Sequence, residues 1–371
     1  MLRPTWAEID LSKFRQNINK IRQKVALSTK ILAVIKADGY GHGALPLAKA
    51  AEEEKISFLG AATVEEGIEL RQGGVSLPIL LMGSVYPFSN FSEIIRHRLT
   101  PTIASWFALE KLLDYAAGVT DKVCLHLKID TGMGRIGVSP EQALPLIKKI
   151  VHHQSIFLEG IYTHLACADT DPGYTAKQLD KFFLLKKSLE KEGIRIPYWH
   201  ASNSAAILNF PQSHLDLVRS GLALYGLNPR PSTEGGESFQ PILSWKTQVV
   251  FFKKILAGSA ISYGRTFVAQ KDSWIATLPV GYADGYSRRL SNLGEALIHN
   301  QRLRVAGTVT MDMIMIDVTP IKDQIKIGDE AVLLGKQGKE KITAEELADK
   351  IGAIPYEIVC AISKRVPRVY V

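Results

Sequence analysis

Apolar positions in the first two thirds of the chain fall into short, nearly continuous runs. They are ILAVIK (31–36), SFLGAA (57–62), PILLMG (78–83), LTPTIA (99–104), VCLHLKID (123–130), LEGIYTHLA (158–166), YWHAS (198–202) and LDLVRSGLALYG (216–226). Rich in β-branched residues and spaced by about 20–40 positions, they have the footprint of strands buried on both faces. Amphipathic stretches lie between them. Phe14, Ile18, Ile21 and Val25 share one helical face after Ser12, and Thr63 with Glu66 reads as a capping box on a helix ending at Gly73-Gly74. Ser139-Pro140 followed by Gln142 reads as a second box with proline in the first turn. Eight strand–helix alternations predict an α/β fold with parallel strands closed as a (β/α)8 TIM barrel; a doubly wound open sheet would give the same local pattern.

After Tyr225 the pattern changes. Residues 227–240, LNPRPSTEGGESFQ, read as a linker. Beyond it, TQVVFFKKIL, WIATLPVG, RLRVAGTVT, MIMIDV, EAVLLG and RVPRVYV are strand-like, and only Thr343–Ile351, bounded by Glu346 in its first turn and Gly352, looks helical. The expected division is a barrel over 1–235, with the first ~10 residues packing on the other domain, and a smaller, mainly antiparallel β domain over 236–371.

Composition narrows the class without naming a function. With 371 residues, 46% hydrophobic and 22% charged, the chain is neither disordered nor a small disulfide scaffold. A charge of +8, from 45 Lys+Arg against 37 Asp+Glu, is scattered without a basic run, so it favours small anions and gives no reason to expect nucleic acid. Cys124, Cys167 and Cys360 are too few and too far apart for a disulfide framework or a metal knuckle, so no metal is expected. No apolar segment reads as a leader or a membrane span, which makes the cytoplasm the expected location.

Barrels that are enzymes carry reactive groups where strands end, on the C-terminal face. In this reading those positions are Lys36, Asp130 to Arg135, His164, His200 to Ser204 and Arg219. A lysine at the end of a buried strand is the most telling, because desolvation frees its amine to act as nucleophile or base. Snorkelling to solvent is the bland alternative. KADGYGHG (36–43) then strips the following loop of side chains, which either lets a ligand approach the backbone or makes a tight turn.

The chain resembles the alanine racemase family through VIKADGYGHG, KIDTGMGRIGV (128–138), GIYTHLACAD (160–169), HASNSAA (200–206), LVRSGLALYG (217–226), ISYGRTF (261–267), LPVGYADGY (278–286), TMDMIMIDV (310–318) and YEIVCAISKRVPRVY (356–370). The blocks occur in family order along essentially the whole chain. The resemblance implies a (β/α)8 barrel plus a β domain, pyridoxal 5′-phosphate as cofactor, alanine as substrate, and a head-to-tail homodimer with shared sites. Lys36 is then the lysine bound to the cofactor and the base on one face of the substrate, and Tyr263, from the partner subunit, is the base on the other. A phenol ionises near pH 10, so it needs cations or hydrogen bonds nearby; similarity suggests His164 and Arg219.

The same resemblance places Arg219 on the cofactor's pyridine nitrogen and Arg135 on its phenolic oxygen and the substrate carboxylate. Met311, beside Asp312, would close over that carboxylate from the partner chain. Tyr40, Ser204, the backbone of Gly221 and Leu222, and Tyr356 would hold the phosphate, with Tyr263 and Tyr282 lining the entrance. Lys128 beside Arg135 resembles a lysine that is carbamylated in some members. Ser220 stands where a proline is usual and Thr310 where a cysteine is common. His126, His152 and His153 match no block and read as strand packing and surface. Two other classes fit parts of this pattern. A decarboxylase of basic amino acids on the same architecture would want a carboxylate at the pyridine nitrogen and a reactive cysteine, where Arg219 and Thr310 stand. A non-catalytic carrier of the cofactor would lack residues 240–371. D-alanine supply for peptidoglycan is the cellular role the resemblance implies.

Overall fold

Strand β1 (Thr5–Ile9) alternates buried and half-buried residues and leads into the helix Leu11–Lys24. The computed structural model describes residues 2–228 and 239–371, so most of the expected linker lies outside the described residues. That first helix buries Phe14, Ile18 and Ile21. Its cap is Asp10 rather than the vicinity of Ser12: Asp10 Oδ1 accepts the Lys13 N–H at 3.0 Å and the Ser12 hydroxyl at 2.7 Å.

Eight strands follow: β2 (Lys30–Val34), β3 (Phe58–Ala61), β4 (Ile79–Ser84), β5 (Thr100–Ile103), β6 (Val123–Lys128), β7 (Ile156–Tyr162), β8 (Tyr198–His200) and β9 (Leu217–Ser220). They form one parallel sheet in the order β8-β7-β6-β5-β4-β3-β2-β9. The Asp216 N–H donates to the Trp199 carbonyl at 3.1 Å and the Arg219 N–H to the Ser202 carbonyl at 3.0 Å, which brings the two ends of that order together. The sheet is therefore a nearly closed TIM-type barrel, not an open doubly wound sheet.

Several expected strands end before their apolar runs do: VCLHLKID at Lys128, LEGIYTHLA at Tyr162 and YWHAS at His200. Two others give way to turns. ILAVIK ends as a strand at Val34, and Lys36 begins a turn in which Ala37, Asp38, Gly39 and Tyr40 have φ between 51° and 61°. LDLVRSGLALYG stops at Ser220 and becomes a 3-10 turn over Leu222–Tyr225, ended by Gly226 at φ 72°. Continuous apolar character reports burial, and a buried turn satisfies it as well as a buried strand does. The Thr63–Glu66 capping box is present, on the helix Val64–Gln72. The second one is not: the Ser139 hydroxyl makes no cap bond to the helix Pro140–Val151, and the Gln142 N–H meets the Ser139 carbonyl instead.

The β-rich unit contains β10 (Leu243–Gln248), β11 (Phe251–Ile255), β12 (Ala260–Ile261), β13 (Phe267–Val268), β14 (Ser273–Leu278), β15 (Glu295–Ile298), β16 (Gln301–Arg304), β17 (Ile314–Asp317), β18 (Glu330–Gln337), β19 (Glu340–Ile342) and β20 (Arg368–Tyr370). Its main sheet runs β16-β15-β18-β10-β1-β20, with β19 on β18; β11-β14-β17 and β12-β13 are separate. Pairing is antiparallel except for β20, which lies parallel to β1. TQVVFFKKIL is two strands because the chain breaks at Val249-Val250. A second helix, Pro355–Cys360, joins the expected one at Ala344–Ile351, whose Thr343 hydroxyl accepts the Glu346 N–H and whose Gly352 adopts φ 66°. By compactness, residues up to Lys13, Tyr40–Gly43 and Gln240–Val371 make one unit, and Phe14–Gly39 with the described residues between Ala44 and Phe239 make the other.

Candidate active site

The turn after β2 is held open by three polar anchors. The Gly39 N–H donates to the Ile35 carbonyl at 2.8 Å, the Ala44 N–H to Asp38 Oδ1 at 2.8 Å, and the Ala37 N–H to Glu66 Oε1 at 2.7 Å. Left-handed backbone at three non-glycine residues costs roughly 1–2 kcal/mol each, so these anchors must outweigh it. Lys36 is half-buried at the start of this turn. Glu66 was legible only as a cap; its other oxygen accepts the Ala62 N–H at 2.7 Å, so one carboxylate joins the cap to the turn.

Arg219 is 2% exposed within the barrel, on β9. Its guanidinium donates to the carbonyls of Thr163 (2.7 Å), Ala201 (3.0 Å) and His200 (3.0 Å), and to His200 Nδ1 (3.1 Å). Only Nε has no partner among the described residues. Burial pulls the guanidinium's pKa down to about 10, which leaves it charged near neutrality. Around it stand groups whose pKa burial lowers, with this cation and others adding to the effect. Burial, then Arg219, Lys128, Arg135 and Lys36, push the His164 imidazole down to about 3, so its ring is neutral near pH 7. Burial and Arg219 take Lys128 down to about 8, with Arg135 adding to the effect and Asp130 opposing it.

Tyr162, which sequence reasoning passed over, organises this cluster. Its ring stacks on His200 with centroids 4.8 Å apart, and lies 5.4 Å from Lys128 Nζ and 5.2 Å from Arg219 Cζ. Arg135 is exposed on a loop built by Asp130, whose Oδ1 accepts the Gly132 and Gly134 N–H groups at 2.9 and 3.1 Å. Gly137, at φ 133°, is required there, since a Cβ would sit 2.7 Å from the Asp130 nitrogen.

The expected phosphate residues fall into two groups. In the barrel unit, Ser204 Oγ accepts the Gly221 N–H at 2.9 Å, next to Leu222. In the β unit, the rings of Tyr40 and Tyr356 lie 6.0 Å apart, and burial raises the Tyr40 phenol's pKa well above its usual value. The Arg368 guanidinium grips the Gly41 carbonyl from Nε (2.9 Å) and from a terminal nitrogen (2.7 Å). Tyr263, Tyr282, Met311 and Asp312 are brought together by the β unit alone, around an open cleft of about 510 Å³ that also takes Arg288 and Thr310. The Tyr282 and Ala283 N–H groups donate to the Thr310 and Met311 carbonyls at 3.0 and 3.1 Å, and a Cβ on Gly281 would meet both carbonyl oxygens at 2.3 Å. Tyr263 is 72% exposed on that cleft.

Family models described as the N-terminal and C-terminal domains of alanine racemase match residues 9–229 and 242–370. The chain belongs to the alanine racemase family. The alanine racemase of Halothermothrix orenii is 47% identical over 369 residues, covering 99% of this chain and 97% of that one; that of Symbiobacterium thermophilum is 44% identical, covering 100% and 97%. Among solved structures, alanine racemase from Clostridium difficile superposes with a TM-score of 0.93 at 40% identity, covering 99% of this chain and 96% of the other. The Bacillus anthracis alanine racemase with bound L-Ala-P gives 0.92 at 33%, covering 100% and 95%.

Alanine racemases depend on pyridoxal 5′-phosphate, and the residues here fit that group. The orphaned Arg219 Nε is a buried donor in want of one acceptor, as a pyridine nitrogen is. The departures are benign. The Thr310 hydroxyl donates to the Met313 carbonyl at 2.7 Å and shapes its turn, while Ser220 is buried with its hydroxyl unpartnered among the described residues. Among those residues no helix is long and apolar enough to cross a membrane.

Proposed function

We propose that this protein interconverts L- and D-alanine using pyridoxal 5′-phosphate, as a homodimer whose sites are shared, in the cytoplasm, in supply of D-alanine for peptidoglycan. The orphaned Nε of buried Arg219, whose two terminal nitrogens are engaged, supports the reading, because one acceptor such as a pyridine nitrogen satisfies it. Bound, the cofactor supplies an electron sink that stabilises negative charge on the substrate's α-carbon.

The residues do the rest. Lys36 would hold the cofactor covalently and, as amine, would take or return the α-proton on one face. Tyr263 of the partner subunit would do so on the opposite face, since inversion requires a proton to leave one side and arrive on the other. Charged Arg219 would donate to the cofactor's pyridine nitrogen and disfavour protonation there, which would limit side reactions. Arg135, through its planar fork, and Met311 of the partner subunit would orient the carboxylate. Ser204, Gly221, Leu222, Tyr40 and Tyr356 are the residues that would hold the phosphate. His164 serves as a neutral hydrogen-bonding ring, and Tyr282 narrows the entrance. The part-neutral Lys128 amine suits reaction with carbon dioxide to a carbamate, an anion able to orient Arg135.

In deuterated water the protein is expected to exchange the α-proton of alanine and erase optical rotation without releasing carbon dioxide. Carbon dioxide release would move the assignment to the decarboxylases; absence of both exchange and racemisation would overturn it.

A further inference from the structure

A continuous polar line crosses the interior of the barrel behind Arg219. His200 Nε2 lies 2.9 Å from His126 Nδ1, and His126 Nε2 lies 3.2 Å from Glu159 Oε2. Both imidazoles are fully buried. The direction of every bond is forced from the ends. A guanidinium only donates, so His200 Nδ1 must be a bare acceptor and its proton sits on Nε2. That proton points at His126 Nδ1, which must then accept, leaving the His126 proton on Nε2. A carboxylate only accepts, and Glu159 receives it. Both rings are neutral in this arrangement, which agrees with the downward shift that burial imposes on each, opposed by Glu159 at His126 and reinforced by Arg219 at both.

The backbone is adapted to this line. Between β6 and β7 the register slips: Leu125 faces Leu158, but His126 faces Gly160, so Glu159 is an extra, bulged residue. The bulge sets its carboxylate beside the His126 ring. A Cβ at Gly160 would sit 2.6 Å from that ring, so glycine is required where the imidazole lies across the strand.

We propose that Glu159 and His126 are positioning residues that lock the tautomer of His200 and thereby aim Arg219 Nε into the active site. If His200 carried its proton on Nδ1, it would confront the Arg219 N–H and displace the guanidinium. The consequence for the cofactor rests on the reading of Arg219 given above; the tautomers themselves do not.

The test is nitrogen NMR of histidine-labelled full-length protein, with and without pyridoxal phosphate, assigned by single substitutions. In the wild type both rings are expected as neutral Nε2–H tautomers in either state; an Nδ1–H or doubly protonated ring at either position overturns the proposal without any variant. Glu159→Gln keeps an acceptor oxygen and should keep both tautomers. Glu159→Leu strands the His126 Nε2–H in the core, and relief through the Nδ1–H tautomer sets the line against the donating Arg219; the variant should mix the tautomers and loosen cofactor retention on dialysis by about tenfold. Unchanged tautomers in Glu159→Leu would also overturn it. Mixed tautomers with unchanged retention would leave the histidine line standing and sink only the link to the cofactor.

Discussion

At the scale of single residues, burial decides which side chains are ready to react. Lys128 is 2% exposed, and its amine is held at about 8 against an ordinary 10.5. A lowered lysine pKa means that the unfolded chain binds the proton better, so folding is penalised below pH 8 and relieved as pH rises towards 10.5. In buffer free of carbon dioxide, stability measured by urea melts should therefore climb across that window, by up to about 3 kcal/mol from this group. Bicarbonate should flatten the climb if the amine is carbamylated. Ser220→Ala deletes an unpartnered buried hydroxyl and is expected to leave the protein as stable or more stable by about 1 kcal/mol. Loss of stability would show that the hydroxyl has an undetected acceptor. His126 looked like packing in the sequence because no motif surrounds it; its partners lie 33 and 74 positions away and meet it only across strands.

At the scale of elements, the strand-to-turn junction at Lys36 is the instructive case. The apolar run and the lysine were readable, and so was the Thr63–Glu66 cap. Their connection was not, because nothing local says that Glu66 Oε1 will meet the Ala37 N–H. Glu66→Ala removes acceptors from Ala37, Ala62 and Thr63 together. We expect a loss of about 1–2 kcal/mol in urea melts and weaker cofactor retention, whereas an ordinary cap deletion would cost stability alone. The misjudged Ser139 cap and the overlong strands at 31–36 and 216–226 share a cause: residue type offers a bond or a buried surface, and the backbone path decides whether it is used.

For the whole molecule, the two-face mechanism makes predictions that no single unit satisfies. Lys36→Ala should lose borohydride-trappable cofactor. Tyr263→Phe should suppress solvent exchange from one enantiomer of alanine, the L form on this assignment, far more than from the other; equal loss from both would refute the assignment of faces. Mixed and allowed to exchange subunits, the two inactive variants should recover racemisation, because one hybrid site regains both groups. No recovery despite proven exchange would place both bases in one chain.

The sequence by itself determined the strand–helix alternation, the β-rich remainder and, through its motifs, the family, because burial periodicity and contiguous motifs are local properties; that the strands close into a barrel was settled by pairing across the fold. Only the tertiary structure decided how deeply the reactive groups are buried and which partners their polar atoms meet. Desolvation, the Glu159 bulge and the hydrogen-bond line ending at Arg219 arise from strands distant in the chain, and no stretch of sequence contains them.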